Sequence, residues 1–144
     1  MSIHQEYMDT GYGPIDEEHH SISAPLRALL AAANADDLSQ ARAVCHVILK
    51  NVAGHFVHEE RLMDEWKYPK AQRHHEAHAD FLNDAGQFVA ELEARGLTPK
   101  FRRWVLTRLL SWFKLHIIAN DVELGIFLRD QARQTAPGAR AAPP

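Results

Sequence analysis

The chain has few of the features that would place it in a membrane, an oxidising compartment or a nucleic-acid complex. Cys45 is its only cysteine, so no intramolecular disulfide can form, and a reducing compartment is expected. No apolar run approaches the ~18 residues of a membrane span, and the first residues lack the charged-then-apolar pattern of a signal peptide. The net charge of −3 is too small to favour nucleic acid or an anionic membrane as a partner. These absences predict a cytoplasmic protein without a nucleic-acid or membrane partner.

The composition is that of a globular domain. Of the 144 residues, 46% are hydrophobic and 24% are charged, which is ordinary for a globular protein. This length corresponds to one domain that can bury a substantial core. Apolar residues recur at helical spacing, and no stretch has the alternating pattern of a strand. The sequence therefore predicts an all-α domain.

Two helices are predicted in the first half of the chain. The first should begin after an N-cap at Asp16 and end near Ala33. Pro25 lies inside this helix and should bend or restart it, because proline removes one backbone hydrogen bond. The second helix should run from about Leu38 to Trp66, and the aspartates of the preceding turn can cap it.

Two further helices are predicted in the second half. The third should follow the break at residues 67–69 and end near Arg95. Gly96 then stands just past the helix end, where glycine is favoured. Thr98 is a suitable N-cap for the fourth helix, and Pro99 occupies its first position, where proline is tolerated.

The fourth helix and the two ends of the chain complete the predicted architecture. The helix is rich in apolar residues, and it should continue or bend near Asn120 and run to about Arg133. Residues 1–14 should form an irregular arm, and residues 134–144 a disordered tail. Short loops between long amphipathic helices favour an up-down-up-down four-helix bundle, which we expect to occupy residues 1–133 as one domain.

Five histidines and two carboxylates recur along these helices at spacings typical of metal ligands. His55 and Glu59, like His74 and His78, are four residues apart, so each pair should project from one helix face. Each group lies in a different predicted helix, so four helices can converge on one cluster. The seven residues of this candidate metal centre are His19, His55, Glu59, His74, His78, His116 and Asp121.

The pair His116 and Asp121 departs from that spacing. The two residues are five apart, which places them about 140° apart around an ideal α-helix at 100° per residue. A side chain reaching sideways can still bridge that difference, so both residues stay in the predicted set.

The kinds of ligand indicate the kind of metal. Imidazole together with carboxylate suits iron, copper or zinc, whereas calcium and magnesium prefer oxygen ligands. Seven ligands are too many for one tetrahedral zinc, and the absence of thiolates argues against a structural zinc site. Two octahedral ions offer roughly twelve positions, and five imidazoles, two bridging carboxylates and one shared oxide or hydroxide fill all but about one. The ligand count therefore predicts a pair of metals that can bind one small molecule.

These motifs resemble those of the hemerythrins, and more closely the single-domain bacterial hemerythrin-like proteins. The resemblance covers roughly residues 11–133, and no ligand position of the family is missing. The motifs that carry it stand in the family's order. They are Ile15-Asp16-Glu17-Glu18-His19, the segments 55–63 and 74–81, and Trp112-Phe113-Lys114-Leu115-His116-Ile117 followed by Asp121.

The resemblance implies a non-haem di-iron centre. His74, His78 and His116 would hold one iron, which is coordinatively full. The other iron, held by His19 and His55, would keep the open position. Two Fe ions would then be bridged by Glu59, Asp121 and an oxide or hydroxide. The residues implied to line the oxygen pocket are Phe56, Trp112, Phe113 and Ile117.

The function implied is reversible dioxygen binding at this centre, as an oxygen carrier, store or sensor. Imidazoles outnumber carboxylates five to two, which favours ferrous iron and binding over O–O cleavage, so no enzymatic activity is expected. Azide and other small anions should bind when the iron is ferric. The alternative is a di-iron redox enzyme that acts on peroxide or nitric oxide. The sequence does not identify a protein partner.

The remaining histidines and Glu60 are expected outside the ligand set. His20, His58 and His75 adjoin ligands in sequence but should point elsewhere on their helices, and His46 should face away. His4 belongs to the predicted arm.

Some positions depart from the family's pattern without removing a ligand. Ser23 stands where relatives often have phenylalanine, with Pro25 close behind it, and Leu124 stands where many have tyrosine. Phe113 replaces a leucine one turn before His116, so its ring should either narrow the oxygen pocket or turn into the core.

Overall fold

The computed structural model describes residues 8–138, within which it contains four helices and no strand. Helix α1 is Gly13–Asn34, α2 is Leu38–Glu65 and α3 is Ala71–Arg95. The fourth helix, α4, spans residues 99–135 without interruption. Connections of only three to five residues join successive helices, which makes neighbours in sequence antiparallel. The predicted four-helix bundle is confirmed.

The predicted caps are present at the junctions of the bundle. The side chain of Asp37 accepts a hydrogen bond from the backbone of Gln40 at the start of α2, at 3.0 Å. Thr98 accepts one from the backbone of Phe101 at the start of α4, at 3.1 Å. Gly96 ends α3 with a φ of +76°, a conformation that favours glycine. These caps bind helix-end groups that would otherwise have no partner.

One prediction about α1 is wrong, and one alternative of a second is excluded. The helix begins at Gly13, ahead of the predicted N-cap Asp16. The Asp16 carboxylate instead accepts hydrogen bonds from the backbone of Thr10 and Gly11, at 2.7 and 3.1 Å, and so fixes the segment before the helix. Pro25 lies within one continuous helix, so the chain does not restart there.

The two ends of the chain differ from the prediction where they are described. Of the predicted arm, residues 13 and 14 are helical, and residues 1–7, including His4, lie outside the described residues. Helix α4 extends to Thr135, so two residues of the predicted tail belong to it. Residues 139–144 of that tail lie outside the described residues.

Helix α4 contains two π-helical segments. They are Trp104–Leu109 and Ile117–Asp121. In the second, the backbone N–H of Val122 donates to the carbonyl of Ile117, five residues earlier. This segment lies where the sequence predicts a continuation or bend, and it widens the helical turn without ending the helix.

The hydrophobic core has two parts. The larger cluster fills one end of the bundle and includes Leu29, Ile48 and Phe101. The smaller cluster includes Ile15, Met63 and other side chains from α1, α2 and α4. Seven buried polar residues lie between these clusters along the helices. In the described part of the chain, no helix combines the length and apolar character needed to cross a membrane.

Candidate metal centre

The structure brings the seven candidate ligands together in the interior of the bundle. Each is at most 5% exposed. Each occupies an inward position that would otherwise carry a core hydrophobic residue, because the helical periodicity that directs apolar residues inward also directs these. They form two groups within which the potential ligand atoms lie within 4.8 Å of one another. Glu59 and Asp121 belong to both groups.

The first group contains three imidazoles, from α3 and α4. Nε2 of His116 lies 3.2 Å from Nε2 of His74 and 3.1 Å from Nε2 of His78. The Glu59 Oε2 atom reaches the same point from α2, at 3.1 Å from Nε2 of His78 and 3.4 Å from Nε2 of His74. Three nitrogen donors and a carboxylate oxygen therefore face one position.

The second group contains two imidazoles, one from α1 and one from α2. Nε2 of His19 lies 3.2 Å from Nε2 of His55. Oε2 of Glu59 lies 3.6 Å from Nε2 of His55, so this carboxylate faces both groups. The second group thus has one imidazole fewer than the first.

The Asp121 carboxylate divides its oxygens between the two groups. Oδ1 lies 3.0 Å from Nε2 of both His74 and His116. Oδ2 lies 3.0 Å from Nε2 of His19. One oxygen toward each group is the arrangement that a carboxylate needs to bridge two metal ions.

The π-helical segment brings Asp121 beside His116. An ideal α-helix would separate the two side chains by about 140°. Hydrogen bonds between residues five apart align residues at that spacing instead. Neither side chain has to reach sideways, because the helix itself changes its winding. Nothing in the apolar periodicity of α4 signals this change.

Most of the imidazoles are held from outside through Nδ1. His55 donates to Glu18 at 2.7 Å, His78 to Glu60 at 3.0 Å, and His19 to the backbone carbonyl of Met8 at 2.7 Å. These oxygens can only accept, so Nδ1 carries the proton and Nε2 presents its lone pair to the interior. Three imidazoles are therefore oriented as metal ligands require.

The other two imidazoles have different surroundings. The side-chain amide of Asn120 lies 3.3 Å from Nδ1 of His116. Nδ1 of His74 is buried and has no hydrogen-bond partner within the described residues.

Glu18 is a residue whose role the sequence reasoning missed. Its position just before His19 identifies it only as an acid in the first helical turns. Its second oxygen accepts a hydrogen bond from Nδ1 of His58, also at 2.7 Å. Its role depends on how α1 packs against α2, which one sequence does not reveal. A carboxylate that supports a metal-ligand histidine from outside is a common arrangement.

The other histidines lie outside the cluster. His20 contacts Asp9 at 2.9 Å, and His46 contacts Glu93 at 3.2 Å, both at exposed positions. His75 lies 3.5 Å from the outer oxygen of Glu60. None of these histidines belongs to either candidate metal group.

The charges in the cluster favour metal binding. Burial and the Asp121 carboxylate would raise the pKa of Glu59, but the adjacent imidazoles outweigh them and lower it to about 2. Burial also opposes ionisation of Asp121, yet the adjacent imidazoles of His116, His19 and His74 lower its pKa well below the usual value. Both carboxylates are therefore anionic at neutral pH, as ligands must be.

The carboxylate oxygens lack adequate partners in the protein itself. Neither oxygen of Glu59, nor Oδ1 of Asp121, receives a hydrogen bond of acceptable geometry from the described residues. An anionic oxygen buried without a donor is costly, on the order of several kcal/mol. Metal ions at the centre of the two groups would satisfy these atoms, so the side chains present fit metal binding.

Aromatic rings close the cluster on one side. Phe56 stacks on His78, with ring centroids 3.7 Å apart, and Trp112 stacks on His116 at 4.4 Å. Ile117 is buried beside His116 in sequence. Three of the four predicted pocket residues are thus adjacent to candidate ligands in space or in sequence.

Phe113, the fourth predicted pocket residue, packs differently. Its ring is 5.3 Å from that of Phe81 and 5.5 Å from that of Trp112, within the large hydrophobic cluster. It also lines a cavity between α1 and α4, which it shares with Ile117 and Ser23. Two residues that depart from the family's pattern, Ser23 and Phe113, therefore meet at one cavity. The third, Leu124, is fully buried in the smaller cluster.

Comparison with known proteins places these features in a family. Residues 10–123 match the family model of the hemerythrin HHE cation binding domain. A bacteriohemerythrin from Stenotrophomonas maltophilia (strain R551-3) is 25% identical over 122 residues, which cover 84% of this chain and 77% of that relative. The matched region includes all seven candidate ligands.

Proposed function

Because the chain belongs to the hemerythrin family and its cluster is a site for non-haem iron, we propose that it holds two iron ions and binds dioxygen reversibly. The observation that carries the proposal is the sharing of two carboxylates between two groups of imidazoles. A single metal ion would occupy only one of these groups and would leave the other without a metal to bind. The biological role is that of a carrier, store or sensor.

The ligand assignment follows the two groups. His74, His78 and His116 would hold one iron, and His19 and His55 the other. Glu59 and Asp121 would bridge them together with an oxide or hydroxide. Because the second group has one imidazole fewer, its iron would keep the open position where dioxygen binds. Two ferrous ions held there would supply the two electrons that reversible binding of dioxygen uses.

The surrounding residues favour binding over bond cleavage. Among the described residues, Glu59 and Asp121 are the only buried acids, and both are assigned as ligands. Glu18 and Glu60 lie outside, where they accept hydrogen bonds from imidazole Nδ1 atoms. No acid at the centre is therefore free to deliver a proton to a bound oxygen molecule. Five neutral imidazoles also favour ferrous iron over the higher oxidation states that cleavage requires.

The dry surroundings of the centre also support reversible binding. Phe56 and Trp112 cover His78 and His116 with aromatic faces, and Ile117 is 1% exposed. These side chains limit the entry of water and anions, which would promote irreversible oxidation of the iron to the ferric state. A small neutral molecule meets less resistance, because it loses little hydration on entry.

The test is one cycle of oxygenation. Iron-loaded protein is reduced under anaerobic conditions, exposed once to air, and then purged with argon while its absorption spectrum is recorded. A stable oxygenated spectrum that disappears on purging and returns with air supports the proposal. Rapid oxidation without a reversible species, together with catalytic turnover of peroxide or nitric oxide, would contradict it and favour a redox enzyme. His46→Ala serves as a matched histidine variant, because His46 lies at an exposed position away from the cluster.

A further inference from the structure

A cavity of about 160 Å³ lies between α1 and α4, and none of the seven candidate ligands lines it. Its wall is mainly apolar. The apolar side chains that form it are Met8, Leu26, Leu30, Leu110, Phe113 and Ile117. Apolar cavities of about 150 Å³ are large enough to hold a benzene molecule. The space therefore suits one small ring or a short aliphatic chain.

The charged side chains in the described lining are cationic. Arg27 from α1 and Lys114 from α4 line the cavity, and both are exposed, so their charges lie toward its opening. No aspartate or glutamate is among the described residues that line the cavity. The sign of the charge here is opposite to that of the whole chain, which carries a net charge of −3. The cationic Arg27 beside an apolar space favours a ligand that has an apolar body and one negative charge.

The small side chain of Ser23 helps to keep this space open. Its hydroxyl donates to the backbone carbonyl of His20 at 2.9 Å, so it is engaged with its own helix. A large side chain at this position would project into the cavity. Ser21 makes the same kind of bond, to the carbonyl of Glu18 at 2.7 Å, but does not line the cavity. The two serines therefore form a matched pair for substitution.

We propose that this cavity binds a small monocarboxylate with an aromatic or short aliphatic body. The ring or chain packs against Leu26, Phe113 and Ile117, and the carboxylate faces Arg27 at the opening. This site is separate from the metal centre and goes beyond dioxygen binding. It does not depend on which metal the cluster holds.

The experiment is calorimetric titration of the purified iron-loaded protein with benzoate. For a ligand of this size, we expect a dissociation constant on the order of 1 mM. Ser23→Phe should weaken binding at least about tenfold, because the new ring occupies the cavity. Ser21→Phe should leave the affinity unchanged. Iron content is measured for each variant, so that loss of binding is not confused with loss of the fold.

A second comparison tests the cationic part of the site. Arg27→Gln should weaken benzoate binding several-fold and leave the binding of neutral benzyl alcohol unchanged. The native protein should also prefer benzoate to benzyl alcohol. Equal affinity for the two molecules would overturn the assignment of an anionic ligand.

Two further results would overturn the site itself. One is benzoate binding that is absent in the native protein or equally tight in Ser23→Phe. The other is a change in the absorption of the ferric centre that tracks benzoate binding, because the carboxylate would then be bound to the metal. Neither result bears on reversible dioxygen binding, which the oxygenation cycle tests independently.

Discussion

The carboxylate of Glu18 holds the imidazole of His55 from outside the metal centre, with a hydrogen bond of 2.7 Å from Nδ1. The same carboxylate accepts a bond of equal length from His58. Burial alone would raise the pKa of Glu18, but the bonds from these two histidines lower it. An anion at Nδ1 makes Nε2 of His55 a stronger donor to a metal.

Glu18→Gln should therefore weaken iron binding. We expect a loss of roughly 10- to 100-fold in affinity, measured by competition with a chelator, because the amide cannot supply the negative charge. Glu17→Gln is the matched control, since Glu17 is its exposed neighbour. Equal iron affinity in the two variants would remove Glu18 from the account of the centre.

The sequence predicts much of the fold because helix caps and helical spacing, which depend on nearby residues, agree with the bundle that forms. Asp37 and Thr98 cap helices as expected, since capping depends on a few neighbouring residues. Five of the seven candidate ligands lie within the regular helices α1, α2 and α3, and in two pairs of them a spacing of four residues places the side chains on one face. The start of α1 at Gly13 differs from the prediction. The Asp16 carboxylate could either cap a helix or accept hydrogen bonds from the preceding segment, and only the folded structure selects the second role.

Features that depend on contacts between helices could not be predicted in detail. The π segment before Asp121 has no counterpart in the apolar pattern. The contacts of Glu18 with α2 and the cavity beside Ser23 arise from how α1 packs on its neighbours. The apolar pattern of one sequence identifies the inward face of each helix. It does not identify which side chains at the edge of that face contact each other between neighbouring helices.

The π-helical segment fixes the position in the chain from which the Asp121 carboxylate can reach the metal centre. Asp121→Asn should lose metal, because it removes a charged ligand shared by both groups. Moving the carboxylate one residue back, with Asn120→Asp added, should not restore it. Position 120 faces the outer Nδ1 of His116, at 3.3 Å, whereas the metal side is Nε2. Iron content of the two purified variants is the measurement, and recovery of two irons in the double variant would contradict this geometry.

Phe113 should control access to the ferric centre. Phe113→Leu replaces a ring one helical turn before His116 with a smaller side chain and should increase the rate of azide association several-fold. It should also cost about 1 kcal/mol of stability. Phe88→Leu is a suitable control, because Phe88 stacks on Trp104, away from the cavity. The association rate of azide is measured by stopped flow. Equal rates in the native and Phe113→Leu proteins would show that Phe113 is a core residue only.

The metal-free protein should lose stability at alkaline pH. Burial opposes the charged form of His74, but Asp121 and Glu59 outweigh it and raise its pKa to about 9. The ordinary value is 6.5, so the stabilisation is complete below that pH and is lost as the pH rises through about 9. Urea unfolding at pH 7 and above pH 9 should differ by a few kcal/mol. The difference should shrink in His74→Phe, and its persistence there would exclude His74 as the cause.

Metal analysis of the native protein tests the central claim most directly. After expression with ample iron, elemental analysis and protein quantification give the number of ions per chain. Two irons per chain are expected, because two groups of imidazoles share Glu59 and Asp121. His58→Ala should retain both, since His58 belongs to neither group, whereas His116→Ala should lose the pair. One ion per chain, or mainly zinc, in the native protein would contradict a di-iron centre.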